Sequence, residues 1–340
     1  MGSPENAPGS SSTPEPVSLS ARGRPVVVSD SATSGGAYQA APTILPTHVA
    51  RRLPPLVRAL RPLQWTKNAI VLAALVFDEH LFDPSLLLRG LVAFVIFCGV
   101  SSGMYLLNDL RDIESDRLHP QKRLRPIASS LVSPTQARTA SFLLLGVGLL
   151  GAWWLRPQFF GVVATYATLI GIYSLGLKRV AILDIFAIAA GFVLRAVGGA
   201  VAIDVPISPW LYVCTMLLAL FIGFGKRRHE LTSLTTVAVR HRPSLDAYSV
   251  ELLDQLLSIV AAATIVAYSF YTFGSAAVPN NHAMMLTIPF VVYAIFRYLY
   301  LIHRRDKGGS PETLLFSDLP LLAAIVSWGI SCVVILYLTS

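Results

Sequence analysis

Long apolar runs, each closed by charged or proline-containing stretches, recur from about residue 55 to the end of the chain. A run of about 20 apolar residues lets an α-helix cross the hydrocarbon core of a bilayer. Such runs fall near 66–83, 86–108, 137–155, 158–176, 183–203, 208–225, 253–273, 283–303 and 319–338. The pattern predicts an all-α polytopic membrane protein, a bundle of nine transmembrane helices. The first run is the weakest, because it is short and closes on Asp78, Glu79 and His80. Residues 1–50 break the pattern: they are rich in Ser, Pro, Ala and Gly, bury too little to offset chain entropy, and are predicted to be disordered. They also lack the compact apolar stretch of a secretory signal. The expected organisation is a cytoplasmic tail over 1–50 and a transmembrane domain over 51–340.

Composition agrees and narrows the class. Of 340 residues 54% are apolar and 14% charged, with a mean hydropathy of +0.61. Soluble domains carry about 25% charged residues, so a soluble enzyme, a secreted disulfide scaffold and a coiled coil are excluded. Cys98, Cys214 and Cys332 lie inside apolar runs without metal-ligand spacing and read as packing residues. The net charge of +8 could suggest nucleic acid, but the cations sit between apolar runs, where topology signals belong. With the N-terminus inside, the inner segments hold Arg51, Arg52, Arg58, Arg61 and Lys67, then Arg111, Arg117, Lys122, Arg123 and Arg125, then Lys178 and Arg179. Lys226, Arg227, Arg228, Arg240 and Arg242 follow, and finally Arg304, Arg305 and Lys307. The opposite loops hold Arg156 beside Asp78, Glu79, Asp83 and Asp204. This alternation places the C-terminus outside.

Orientation alone does not explain why acids crowd the inner face. Asp109, Asp112 and Asp116 stand at i, i+3 and i+7, which on a helix is one face, and Asn108 joins its edge. Three neighbouring carboxylates repel one another unless a cation sits among them. Hard oxygens suit Mg²⁺, which bridges one or two carboxylates to substrate phosphates. Lys122, Arg123 and Arg125 follow at once and offer phosphate-binding charge. A second, smaller group (Tyr173, Ser174, Lys178, Arg179 and Asp184) opens the fifth span at the same face. Arg195, deeper in that span, is expected to face the bundle interior, and Gly198-Gly199 to allow close packing.

These residues resemble the UbiA superfamily of membrane prenyltransferases. Its first motif, NDxxDxxxD, stands complete from Asn108-Asp109 through Asp112 to Asp116, and the likeness covers about 55–340. Four stretches, RPLQWTKN at 61–68, DRLHPQKRLRPIAS at 116–129, GFGKRRHEL at 223–231 and SPETLLFSD at 310–318, are similar to the branch that acts on decaprenyl phosphate. Where aromatic prenyltransferases often carry a second aspartate after the one matching Asp184, this chain has Ile188. The resemblance implies a central cavity open to the cytoplasmic side and the lipid, in a bacterial inner membrane. It implies Mg²⁺-dependent transfer of 5-phosphoribosyl from phosphoribosyl diphosphate to a polyprenyl phosphate, releasing diphosphate, in arabinan precursor synthesis.

Roles follow from that resemblance. Asp109, Asp112, Asp116 and Asp184 are expected to carry the metal, with Asn108 in support. Lys67 and Lys178 would hold phosphate, as would Lys122, Arg123 and Arg125. Gln64 and Tyr173 would line the substrate, and Lys226, Arg227, Arg228, His229 and Glu230 would grip the sugar phosphate. Trp65 reads first as an interfacial belt residue. The expected partners are phosphoribosyl diphosphate, the polyprenyl phosphate and the bilayer, with a homo-oligomer left open. Two rivals stand beside this reading. An aromatic or quinone prenyltransferase would share the metal site but not the sugar-phosphate grip. A transporter would show internal repeats and midplane polar residues, whereas here the acids cluster at one face.

Overall fold

The computed structural model describes Gly2 and residues 53–119, 122–206, 208–233, 243–275, 278–279, 281–305, 314 and 317–339. The chain divides into two units, Met1–Ala40 and Ala41–Ser340, and the second holds every helix among the described residues. The expected disordered tail lies outside the described residues.

All regular structure among the described residues is helical. A short α1 (Pro55–Ala59) leads into a 3-10 segment (Pro62–Leu72) and α2 (Ala73–Phe77). The long helices are α3 (Pro84–Arg111), α5 (Pro134–Leu155), α6 (Pro157–Leu175), α7 (Leu183–Ile203), α8 (Pro209–Ser233), α9 (Val250–Gly274), α10 (Ile288–Arg305) and α11 (Leu319–Thr339). Between α3 and α5 sits α4 (Ile113–Leu118). Among the described residues eight helices are long and apolar enough to cross a membrane, so the chain is a multi-pass membrane protein.

Local sequence sets the helix starts. Asp83 caps α3 by accepting from the Ser85 and Leu86 N–H groups at 2.8 and 3.2 Å, with Pro84 in the first turn. Those bonds and the Ser85 hydroxyl hold the Asp83 carboxyl below its ordinary value. Ser133 and Gln136 form a reciprocal capping box at α5, and Ser249 caps α9. The central pair is α3 and α7, with 61% and 56% of their apolar windows buried inside the protein, against 17% for α5. The C-terminal end of α3 and the N-terminal end of α7 carry Asp109 and Asp184, so the most enclosed helices bring the acids to one face.

The expected span at 66–83 takes a different form. Residues 62–77 run antiparallel to α3 as 3-10 turns continued by α2. Arg61 meets Asp109, Trp65 meets Ser102, Asn68 meets Cys98, and Leu75 lies against Gly90. A 3-10 helix rises about 2.0 Å per residue against about 1.5 Å for an α-helix. A segment with too few residues for an α-helical span therefore keeps pace with α3. The Trp65 indole N–H donates to the Ser102 hydroxyl at 3.0 Å. Gly199 of α7 allows the same segment to approach, since a Cβ there would lie 1.9 Å from the Val71 carbonyl oxygen.

Arg195 faces the interior, as expected. Its guanidinium donates to Asn68 Oδ1, the Gly191 carbonyl and the Tyr166 hydroxyl at 2.6, 2.8 and 2.7 Å, and lies over the Tyr166 and Phe192 rings. At the opposite face from the acids, Arg156 pairs with Asp204 at 2.5 Å and ties the start of α6 to the end of α7. The three cysteines are free thiols, with Cys98 and Cys332 buried.

Candidate active site

The acid motif does not lie on one continuous helix. Asp112 ends α3 with φ −92° and ψ 9°, and α4 starts afresh at Ile113. The break sends Asp112 one way and its neighbours another. Asp109 and Asp116, each 3% exposed, share one guanidinium nitrogen of Arg125, at 3.1 and 2.6 Å. Arg61 adds a second bond to Asp109 at 2.5 Å, with its guanidinium over the Tyr105 ring. Asp112 instead receives two bonds from Lys178, at 2.9 and 2.8 Å, and a third from Asn108 Nδ2 at 3.2 Å. Ser174 donates to Asn108 Oδ1 at 3.0 Å and so joins α6 to this pair.

The loop after α4 returns Arg125 to the acids. His119 Nδ1 accepts from the Lys122 N–H at 3.3 Å, the Arg125 N–H donates to the Lys122 carbonyl at 2.9 Å, and Arg117 Nε reaches the Ala128 carbonyl at 3.3 Å. Pro126, Ile127 and Ala128 are buried beneath it. Burial pushes the Asp116 carboxyl above its ordinary value, and Arg125 partly offsets this. Lys122 and Arg123 stand exposed at the rim. On the 3-10 segment, residues three apart eclipse, which stacks half-buried Gln64 and Lys67 on one edge.

Asp184 forms a separate nest. It has no exposed surface. Arg227 Nε donates to its Oδ2 at 2.9 Å, and the Tyr248 hydroxyl to its Oδ1 at 3.1 Å. Arg227, itself 2% exposed, is held on its other side by Glu230 at 2.7 Å. The Lys226–Glu230 run is therefore divided: Arg227 and Glu230 turn toward Asp184, while Arg228 turns to Asp254 on α9, at 2.5 Å. His303 also reaches Asp254, at 3.1 Å. Lys226 and His229 are half-buried on the same turn, and half-buried Tyr173 lies within electrostatic range of Arg227. Sequence reasoning did not single out Tyr248 or the Arg61–Asp109 pair, and the residues around them carry no local signal of either contact.

The donor chemistry can be tested against Mg²⁺. Among the described residues no three His, Cys, Asp or Glu side chains converge as a preformed cage. The Asp109–Asp116 pair fits, because two carboxylates already share a single cationic nitrogen and Mg²⁺ needs only one or two carboxylates beside phosphate oxygens. Asp184 does not fit in the same way, being sealed from solvent with both oxygens engaged.

The chain is a helical membrane bundle with acids and basic groups gathered at one end of its central helices. A profile of the UbiA prenyltransferase family matches residues 69–319, and the chain belongs to that family. It is 36% identical over 289 residues to the decaprenyl-phosphate phosphoribosyltransferase of Mycolicibacterium smegmatis, covering 80% of this chain and 89% of the relative. It is 31% identical over 290 residues to the enzyme of that name from Corynebacterium glutamicum, covering 83% and 87%. The fold matches a UbiA homolog from Archaeoglobus fulgidus bound to GPP and Mg²⁺ with a TM-score of 0.63 at 17% identity, over 82% of this chain and 99% of that one.

Proposed function

We propose that the protein transfers 5-phosphoribosyl from phosphoribosyl diphosphate to a polyprenyl phosphate such as decaprenyl phosphate and releases diphosphate. The site faces the cytoplasm of a bacterial inner membrane, and the product serves arabinan precursor synthesis. The observation that carries this reading is the Asp109–Asp116–Arg125–Arg61 cluster, with Asp112–Lys178 beside it. Acids able to take a divalent ion stand among cations able to take phosphate, at the end of the two most enclosed helices. The relatives named above support the choice of substrates.

In the reaction the ribosyl C1–O bond to diphosphate breaks and a phosphate oxygen of the lipid bonds to C1. The lipid phosphate is already an anion at neutral pH, so a strong general base is not required. When bound on Asp109 and Asp116, with Asp112 nearby, Mg²⁺ supplies charge stabilisation for the departing diphosphate. Arg61, Arg125 and Lys178 exchange their carboxylate bonds for phosphate oxygens and hold the leaving group. Lys67 and Lys122 extend the cationic rim toward the 5-phosphate. The charged donor cannot enter from lipid, which accords with a site at the inner face.

The test is purified protein in lipid nanodiscs with Mg²⁺, labelled phosphoribosyl diphosphate and a polyprenyl phosphate. A labelled lipid and free diphosphate are expected. A parallel reaction with a prenyl diphosphate and an aromatic acid should yield nothing, and product only in that second reaction would overturn the assignment.

A further inference from the structure

The most strained backbone in the site is at Ile182, with φ 67° and ψ −53°. The Leu183 N–H donates to the Ala181 carbonyl at 2.7 Å, closing a γ-turn of the rare positive-φ form. A β-branched residue at positive φ is a steric outlier, and such strain persists only where the surroundings over-determine it. Here the α7 backbone holds the turn from one side, with the Ile185 and Phe186 N–H groups donating to the Ile182 carbonyl at 3.0 Å, and a single side-chain hydroxyl holds it from the other. Tyr248 Oη accepts from the Ile182 N–H at 2.5 Å and donates to Asp184 Oδ1 at 3.1 Å, fixing the turn and the carboxylate two residues on. Tyr248 belongs to the buried cluster with Ile185, Leu253 and Leu257, so it offers a firm support. Burial pushes its phenol up to about 12.

The turn also carries Lys178. The Val180 N–H donates to Leu177 O and the Asp184 N–H to Val180 O, so the Leu177–Arg179 turn is bonded directly into the start of α7. That turn packs on the Pro243–Leu245 turn, a few residues before Tyr248.

We propose that Tyr248 is a positioning residue: by clamping the strained turn at Ile182 it places Lys178 for the diphosphate of the donor, and Asp184 anchors the clamp rather than binding metal. This rests on the reading of the site as one that binds diphosphate beside a divalent ion. The clamp and that reading are separable by experiment.

Four full-length proteins in nanodiscs suffice: wild type, Tyr248→Phe, Ile182→Gly and the double variant. Diphosphate is titrated calorimetrically at saturating Mg²⁺, Mn²⁺ alone is titrated by electron paramagnetic resonance, and thermal unfolding is followed without ligand. Tyr248→Phe should weaken diphosphate about tenfold, the scale of one lost hydrogen bond, and leave Mn²⁺ affinity within about twofold. Glycine takes positive φ without strain, so the double variant should recover to within about threefold of wild type. The thermal loss caused by Tyr248→Phe should be smaller in the Ile182→Gly background. Unchanged diphosphate affinity in Tyr248→Phe, failure of glycine to rescue, a parallel loss of Mn²⁺ affinity, or equal thermal losses in both backgrounds would each overturn the proposal. If wild type binds no diphosphate while the thermal coupling holds, the diphosphate reading and the role given to Lys178 both fall.

Discussion

Asp116 shows what the site costs the fold. Burial holds its carboxyl above the ordinary value of 3.8, with Arg125 opposing. The folded protein therefore binds this proton more tightly than the unfolded chain. The contribution to stability is full below 3.8 and is lost as pH rises through the raised value. Asp116→Asn should accordingly raise the thermal midpoint at neutral pH and flatten the decline above pH 4, while weakening Mn²⁺ binding. A lower midpoint, measured by scanning fluorimetry between pH 4 and 8, would contradict this. Arg125 supplies a second comparison at this scale. Arg125→Gln should reduce diphosphate affinity about tenfold or more, as expected for a lost charge-assisted bond. Arg123→Gln, two residues away and exposed, should change it little. The regular spacing of Asp109, Asp112 and Asp116 made the chemistry legible in the sequence. It could not reveal the helix break at Asp112, whose side chain pairs with Lys178 of another element, or Tyr248, whose contact with Asp184 crosses 64 residues.

Among the elements, the long α-helices were readable because lipid exposure demands unbroken apolar runs, and α3, α5 and α9 start on side-chain caps. The 62–77 segment was readable as apolar but not as 3-10, because the feature that shapes it lies elsewhere, at Gly199. A Cβ at 199 would meet a carbonyl oxygen that has nowhere to go. Gly199→Ala should therefore push the segment off α7 at a cost of about 1–3 kcal/mol or more. The thermal midpoint should fall, and activity should fall with it, because Arg61, Gln64 and Lys67 ride on the displaced segment. Gly146→Ala meets nothing within 4 Å on α5 and should be silent in both measurements.

For the whole molecule, the charge distribution and the course of 62–77 make one topology. If that segment crosses with α3, cysteine at Glu79 is labelled by an impermeant maleimide in intact cells, and cysteine at Thr135 only after permeabilisation. Both positions are exposed. The reversed pattern, with the cysteine at Thr135 labelled in intact cells and that at Glu79 only after permeabilisation, would remove the crossing and reverse the placement of every later loop. Arg195 has a consequence at this scale. Halfway along a central helix, a fixed positive charge is satisfied by neutral oxygens and aromatic faces. A cation drawn to the carboxylates meets repulsion if it moves on through the interior. A divalent ion held at the carboxylates, as proposed, would thus be kept from passing between the two compartments.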